Sequence, residues 1–183
     1  MNRRVLTALR VAAAAGVVAL GAVLIRNLLH QDTQAAAKIA HGRIVAAPAF
    51  DLERLDAPGR LTVKSLRGKV VVVNFWQSTC EPCKEEAPLI ADAIRRWHGS
   101  PVEVVGIDTS EPDRSAARAF MRRYRLSYPV VFDPLGDVAG RYGVFGTPTT
   151  VFLDRRGRVI PPRVVGPLTR TSLDSGIRRA LTA

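Results

Sequence analysis

The chain has 183 residues, 47% of them hydrophobic and 23% charged, enough for one domain with an appendage. That composition excludes disordered, collagen-like, coiled-coil and multispan membrane classes, and the lack of any internal period excludes solenoids. The 27 basic residues against 16 acidic ones give a net charge of +11. They are dispersed apart from Arg122, Arg123 and Arg125 and from Arg155, Arg156 and Arg158. A nucleic-acid surface would cluster them among exposed aromatics, so no nucleic acid is expected; weak attraction to an anionic lipid surface fits better.

In chain order, residues 1–30 come first. Val11 to Ile25 is an uncharged run between Arg10 and Arg26, short of a full span unless both arginines snorkel. With snorkelling it reads as a single transmembrane signal-anchor. Arg3, Arg4 and Arg10 before the run put the N-terminus in the cytoplasm and everything after Arg26 outside. A cleaved signal peptide, cut near Ala35-Ala36-Ala37, is the alternative, with the domain then secreted. Residues 31–43 read as a linker and residues 44–183 as the globular domain.

Within that domain, Phe50–Leu55 and Leu61–Val63 flank Pro58-Gly59 and predict a hairpin. Residues 65–69 read as a loop. Val70–Phe75 is a continuous run rich in Val, the pattern of a strand buried on both faces. Glu81 to Trp97 has apolar residues at helical spacing, with Pro88 expected to kink the helix. Val102–Ile107 is a second buried strand. Asp113 is placed to cap a helix reaching Arg125. A short strand at Val130–Phe132, a short helix at Asp137–Tyr142, a hairpin of Thr149–Leu153 with Val159–Val165 and a closing helix opened by Thr169 or Thr171 complete the pattern. The whole predicts an α/β fold with a mixed sheet.

Cys80 and Cys83 are the chain's two cysteines, standing between the first buried strand and the amphipathic helix. A helix N-terminus presents unpaired amides and partial positive charge, which stabilise a thiolate. Cys80, at the tip, is therefore expected to attack, and Cys83, one turn in, to resolve. Three readings compete. A zinc site needs four ligands, and His30, His41 and His98 are not at metal spacing. A structural disulfide closing so short a loop adds little stability. A dithiol redox pair is the reading that the strand–CxxC–helix context supports. A Cu(I) chaperone with two thiolate ligands is the non-enzymatic alternative.

Phe75-Trp76, Cys80-Glu81-Pro82-Cys83, Pro88 and Gly146-Thr147-Pro148-Thr149-Thr150 together resemble the thioredoxin fold. With the N-terminal run and the helix–strand insert at Asp113–Phe132, the chain resembles the TlpA/ResA/CcmG (DsbE) branch of membrane-anchored, extracytoplasmic thiol–disulfide oxidoreductases. The resemblance covers about residues 47–183. It implies a thioredoxin-like mixed sheet flanked by helices, with an N-terminal hairpin and that insert. It implies a cis peptide before Pro148, with Thr147 beside the disulfide in the substrate-binding surface; Trp76 is placed in that surface too, with plain core packing as the alternative. Glu86 matches the branch's acidic residue, a proton shuttle for Cys83, whereas the strand position that is often aspartate in thioredoxin is Asn74. Glu85 reads as a surface charge. Thr79 departs from the aromatic that many relatives carry before the first cysteine.

The resemblance further implies protein disulfide or dithiol substrates, with apocytochrome c among them, and recharging by a membrane electron-transfer protein. No metal or organic cofactor is expected. Glu81, between the cysteines, opposes ionisation of Cys80 and hints at a reductant or a moderate oxidant. A peroxiredoxin-like peroxidase is the second enzymatic reading, which Gln77-Ser78-Thr79-Cys80 fits poorly.

Overall fold

The computed structural model describes residues 10, 14–23 and 34–183. Residues 14–23 are helical and form part of a unit separate from the one that begins at Ala35. Among the described residues no helix is long and apolar enough to cross a membrane. Most of the segment expected to be an anchor lies outside the described residues.

The expected linker is corrected in its second half. Residues 34–40 are helical, and Ile39 is buried in the core. His41 N–H donates to Ala37 O and Arg43 N–H to Lys38 O, while Gly42 takes a φ of 67° that ends the helix. One isoleucine in an alanine-rich stretch anchors this turn, too sparse a signal for periodicity to reveal. The compact unit therefore starts at Ala35 and not at residue 44.

Six strands form the main sheet: β1 (Val45–Ala46), β4 (Val70–Trp76), β5 (Val102–Thr109), β6 (Val130–Asp133), β7 (Thr149–Leu153) and β8 (Arg158–Val165). Their order is β1-β8-β7-β4-β5-β6. β4, β5 and β6 run parallel, while β7 is antiparallel to β4 and to β8. β2 (Asp51–Glu53) and β3 (Arg60–Thr62) form the expected hairpin as a separate two-stranded sheet. β1 has two residues, too few to show a pattern, and pairs with the edge of β8.

β4 is buried along its whole length, and its alternation divides the core in two. Val70, Val72 and Trp76 pack with Cys83, Ile90 and Ala93 of the Cys helix (Glu81–Arg96) and with Leu173 and Ile177 of the closing helix (Arg170–Thr182). Val71, Val73 and Phe75 pack on the other face with Tyr142, Val105 and Ile39. Asn74 shares the parity of Val72 and Trp76, so it faces the Cys helix. That helix runs through Pro88 as one element. The closing helix is capped at Thr169, whose side chain accepts from Ser172 N–H. It approaches so closely that a Cβ at Gly176 would lie 2.2 Å from the Phe152 ring.

The insert helix (Arg114–Arg123) is capped by Asp113, whose Oδ1 accepts from the amides of Ser115 and Ala116 at 2.8 and 3.3 Å. A hydrogen bond from the Ser115 hydroxyl, with those from the two amides, holds the Asp113 carboxyl below the usual carboxylate range. Arg114 pairs with Glu53 at 2.6 Å, tying the insert to the hairpin.

Candidate active site

β4 delivers the chain to one edge of the sheet, and residues 77–79 carry it into the Cys helix. Cys80 is the N-cap of that helix, in extended conformation, and its sulfur accepts a hydrogen bond from Cys83 N–H at 3.2 Å. The helix-tip amide thus points at Cys80 Sγ, as the positions of the two residues lead one to expect. Cys80 and Cys83 are disulfide-bonded with a Cα–Cα distance of 5.3 Å. Their surroundings differ: Cys83 is 2% exposed, whereas Cys80 is half-buried at the surface.

Glu81 is exposed and turned toward Lys84, with 2.7 Å between their charged atoms. Its charge is therefore shared with an ammonium and not aimed at Cys80 alone. Glu85 is exposed and Thr79 is exposed. An open groove lined by Ser78, Glu81, Lys84, Phe120, Arg123 and Tyr124 separates the motif from the insert helix.

Glu86 lies one turn beyond Cys83 and is 3% exposed, so it is no surface charge. Its Oε1 accepts from Asn74 Nδ2 at 2.7 Å and its Oε2 from Leu168 N–H at 2.9 Å. Asn74 Nδ2 also donates to Thr150 Oγ1 at 3.0 Å. Burial raises the Glu86 pKa, and these two donors oppose that rise. The result is a buried carboxyl beside the shielded cysteine whose ionised form already has partners.

The Thr147–Pro148 peptide bond is cis, as the resemblance implied. Pro148 is buried and Thr147 half-buried, with its Oγ1 donating to Gln77 Oε1 at 3.2 Å. That bond joins the proline loop to the loop that precedes Cys80. Phe145, two residues before Thr147, is 89% exposed.

Trp76 is a correction. Expected in a substrate-binding surface, it is 1% exposed and stacks on Phe120 with centroids 4.5 Å apart. Its parity on β4 drives it into the core between sheet and insert helix, so it cannot touch a client or shade Cys80. The chemistry also has neighbours that motif reading passed over. Ser78 N–H donates to Glu111 Oε2 at 2.9 Å and Ser78 Oγ to Glu111 Oε1. Gln77 Nε2 donates to Ser110 O at 3.1 Å. An acidic residue closing a valine-rich strand, Asp108, was the visible signal for this second cluster. Among the described residues no group of three or more His, Cys, Asp or Glu is arranged to hold a metal ion.

A disulfide between cysteines three positions apart at a strand–helix junction, beside a cis-proline loop on a mixed sheet, defines a thiol–disulfide oxidoreductase of the thioredoxin fold. Residues 45–161 match the AhpC/TSA family model, and the chain belongs to that family. It is 35% identical over 127 residues to the thiol-disulfide oxidoreductase ResA of Bacillus subtilis, covering 69% of each chain. It is 31% identical to ResA of Bacillus anthracis, over 73% of this chain and 75% of the relative. Among solved structures, a thioredoxin-family thiol:disulfide interchange protein of Chlorobium tepidum matches with a TM-score of 0.66 and 26% identity. That match covers 75% of this chain and 97% of the other. The protein is a thiol–disulfide oxidoreductase.

Proposed function

We propose that Cys80 is the attacking thiol, that Cys83 resolves, and that the pair works outside the cytoplasm in the reducing direction on protein disulfides. The single observation that carries the order of attack is the asymmetry of the pair. Cys80 reaches the surface with a helix-tip amide on its sulfur, while Cys83 is closed off.

In the first step Cys80 thiolate attacks one sulfur of a client disulfide. The client's other sulfur leaves as thiolate and takes a proton from water. In the second step Cys83 gives its proton to the Glu86 carboxylate, and its sulfur attacks Cys80 Sγ in the mixed disulfide. The client's remaining sulfur is released. The client gains two electrons, and the Cys80–Cys83 pair loses two and closes as the disulfide. Thr147, beside the pair on the proline loop, offers backbone to an extended client segment, and the exposed ring of Phe145 lies on the same loop.

The reading places the domain on the outer face of the membrane, anchored by residues 1–30. It rests on the apolar run bracketed by Arg10 and Arg26 and on the arginines before it. A membrane electron-transfer protein would recharge the pair, and apocytochrome c is the client that the resemblance implies. Tethering favours both encounters by raising local concentration.

Cys83→Ser is expected to accumulate mixed disulfides with clients through Cys80, and Cys80→Ser to accumulate none. Equal trapping by both variants, or by neither, would reverse or remove the assigned order. A membrane-impermeant alkylating reagent applied to whole cells tests the location. Labelling of the reduced pair supports an outer face; labelling only after lysis overturns it.

A further inference from the structure

The exchange reaction as written leaves one buried carboxyl unused. Asp108 is fully buried, and neither of its side-chain oxygens accepts a hydrogen bond. A bare carboxylate in such a place is strongly disfavoured, so the group keeps its proton and can act only as a donor. Its neighbours decide where that proton points. Asp108 lies on β5, opposite Trp76 of β4. The charged groups acting on it are Glu111, on the loop after its own strand, and Asp133, at the end of β6.

Asp133 is already engaged. Its carboxylate accepts from Thr109 Oγ1 at 2.9 Å and from the amides of Val138 and Ala139 at 3.2 and 3.0 Å. Glu111 is the remaining acceptor. It is brought there by Ser110, which takes a φ of 54°, a conformation uncommon for a residue other than glycine. Glu111 uses both oxygens to hold Ser78, while Gln77 reaches back to Ser110 O. Two loops are thus clasped together two residues ahead of Cys80, and Asp108 lies beneath the clasp.

We propose that Asp108 is a positioning residue for the exchange reaction: its carboxyl proton, donated to Glu111, holds Glu111 on Ser78 and so fixes the loop that presents Cys80 to a client. Loss of that proton sets Asp108 against Glu111, with Asp133 behind it, and loosens the clasp. Burial, with the hydrogen bond to Glu111 and the two like charges, pushes the Asp108 pKa up to about 9. The clasp is therefore closed at neutral pH and opens in mild alkali. This inference rests on Cys80 as the attacking thiol.

The test uses the oxidised chain, in which neither cysteine titrates. The Ser78 amide resonance, followed from about pH 6 to about pH 11, is expected to titrate near 9 in the wild type and to stay flat in Asp108→Asn. In the reduced chain, attack on glutathione disulfide at neutral pH is expected to slow about tenfold in Asp108→Leu. Asp108→Asn, which keeps a donor toward Glu111, is expected to recover that rate. A Ser78 titration that persists in Asp108→Asn, or an Asn variant as slow as the Leu variant, overturns the proposal. Should Asp108→Leu not fold, the Ser78 titration of the Asn variant carries the test. A wild-type chain inert toward glutathione disulfide overturns the exchange assignment itself, and with it the role of Asp108, whatever Ser78 does.

Discussion

Glu86 and Asp108 are both buried carboxyls on the helix-covered face of β4 and β5, and burial raises the pKa of both. They differ in company. Glu86 accepts one hydrogen bond on each oxygen, so its ionised form is tolerated and a proton can come and go. Asp108 accepts none, so its proton stays through the neutral range and serves as a fixed donor. The same residue chemistry at the same depth is thus divided by company: two donors for Glu86, and two like charges with no donor for Asp108.

The largest way to sharpen that contrast is through stability against pH. Asp108 has a folded pKa of about 9 against about 3.9 in an unfolded chain. Between those values the folded state holds a proton that the unfolded state has released. Stability from this group is therefore fully present below the lower value and falls as pH rises through the higher one. Asp108→Asn is expected to remove most of that fall, measured by urea unfolding across the window; an unchanged pH slope would show that Asp108 ionises freely. Glu86 contributes with the same sign, since its pKa is also raised.

Next in size is Glu86→Leu, which leaves Asn74 Nδ2 without its Glu86 acceptor and Leu168 N–H with none. A loss of about 3 kcal/mol is expected from those stranded donors, read from the same unfolding curves. A loss below about 1 kcal/mol would mean that the donors find other acceptors.

Glu86→Gln keeps the shape and removes the proton acceptor. Resolution of a preformed mixed disulfide is expected to slow about tenfold and to lose its dependence on pH in the acidic limb. An unchanged pH–rate profile would return Glu86 to a purely structural role. The smallest effect is expected at the surface. Glu81→Gln frees Lys84 and removes a negative charge from the first helical turn, so the Cys80 thiol is expected to titrate lower by about 0.3 pH. A rise would mean that Lys84 draws the negative charge away from Cys80 in the wild type.

Local signals were legible in the chain, and distant contacts were not. The valine run of β4, the spacing of Leu89, Ile90, Ala93 and Ile94, the Pro-Gly of the hairpin and the Asp113 cap each act over a few residues, and each element lies where its pattern predicts. Cys80, Cys83, Glu86 and Pro148 could be singled out because the motif and the resemblance name positions directly. Trp76 was misassigned because nearness to the motif in sequence says nothing about which face of a strand a residue takes; the parity of Val72 and Asn74 would have settled it. The turn at 34–40 was hidden because a single isoleucine carries its packing. The Glu111–Ser78 clasp spans 33 positions and depends on a left-handed serine. No pattern within one segment reveals such a meeting.

The account turns on Cys80 sulfur being acidified by the amide at the helix tip. The direct measurement is the rate of alkylation of the reduced chain by iodoacetamide as a function of pH, with the modified cysteine located by mass spectrometry. Cys80 is expected to be labelled first, with a midpoint below the ~8.5 of an ordinary cysteine. A midpoint at or above that value, or first labelling at Cys83, would contradict the account.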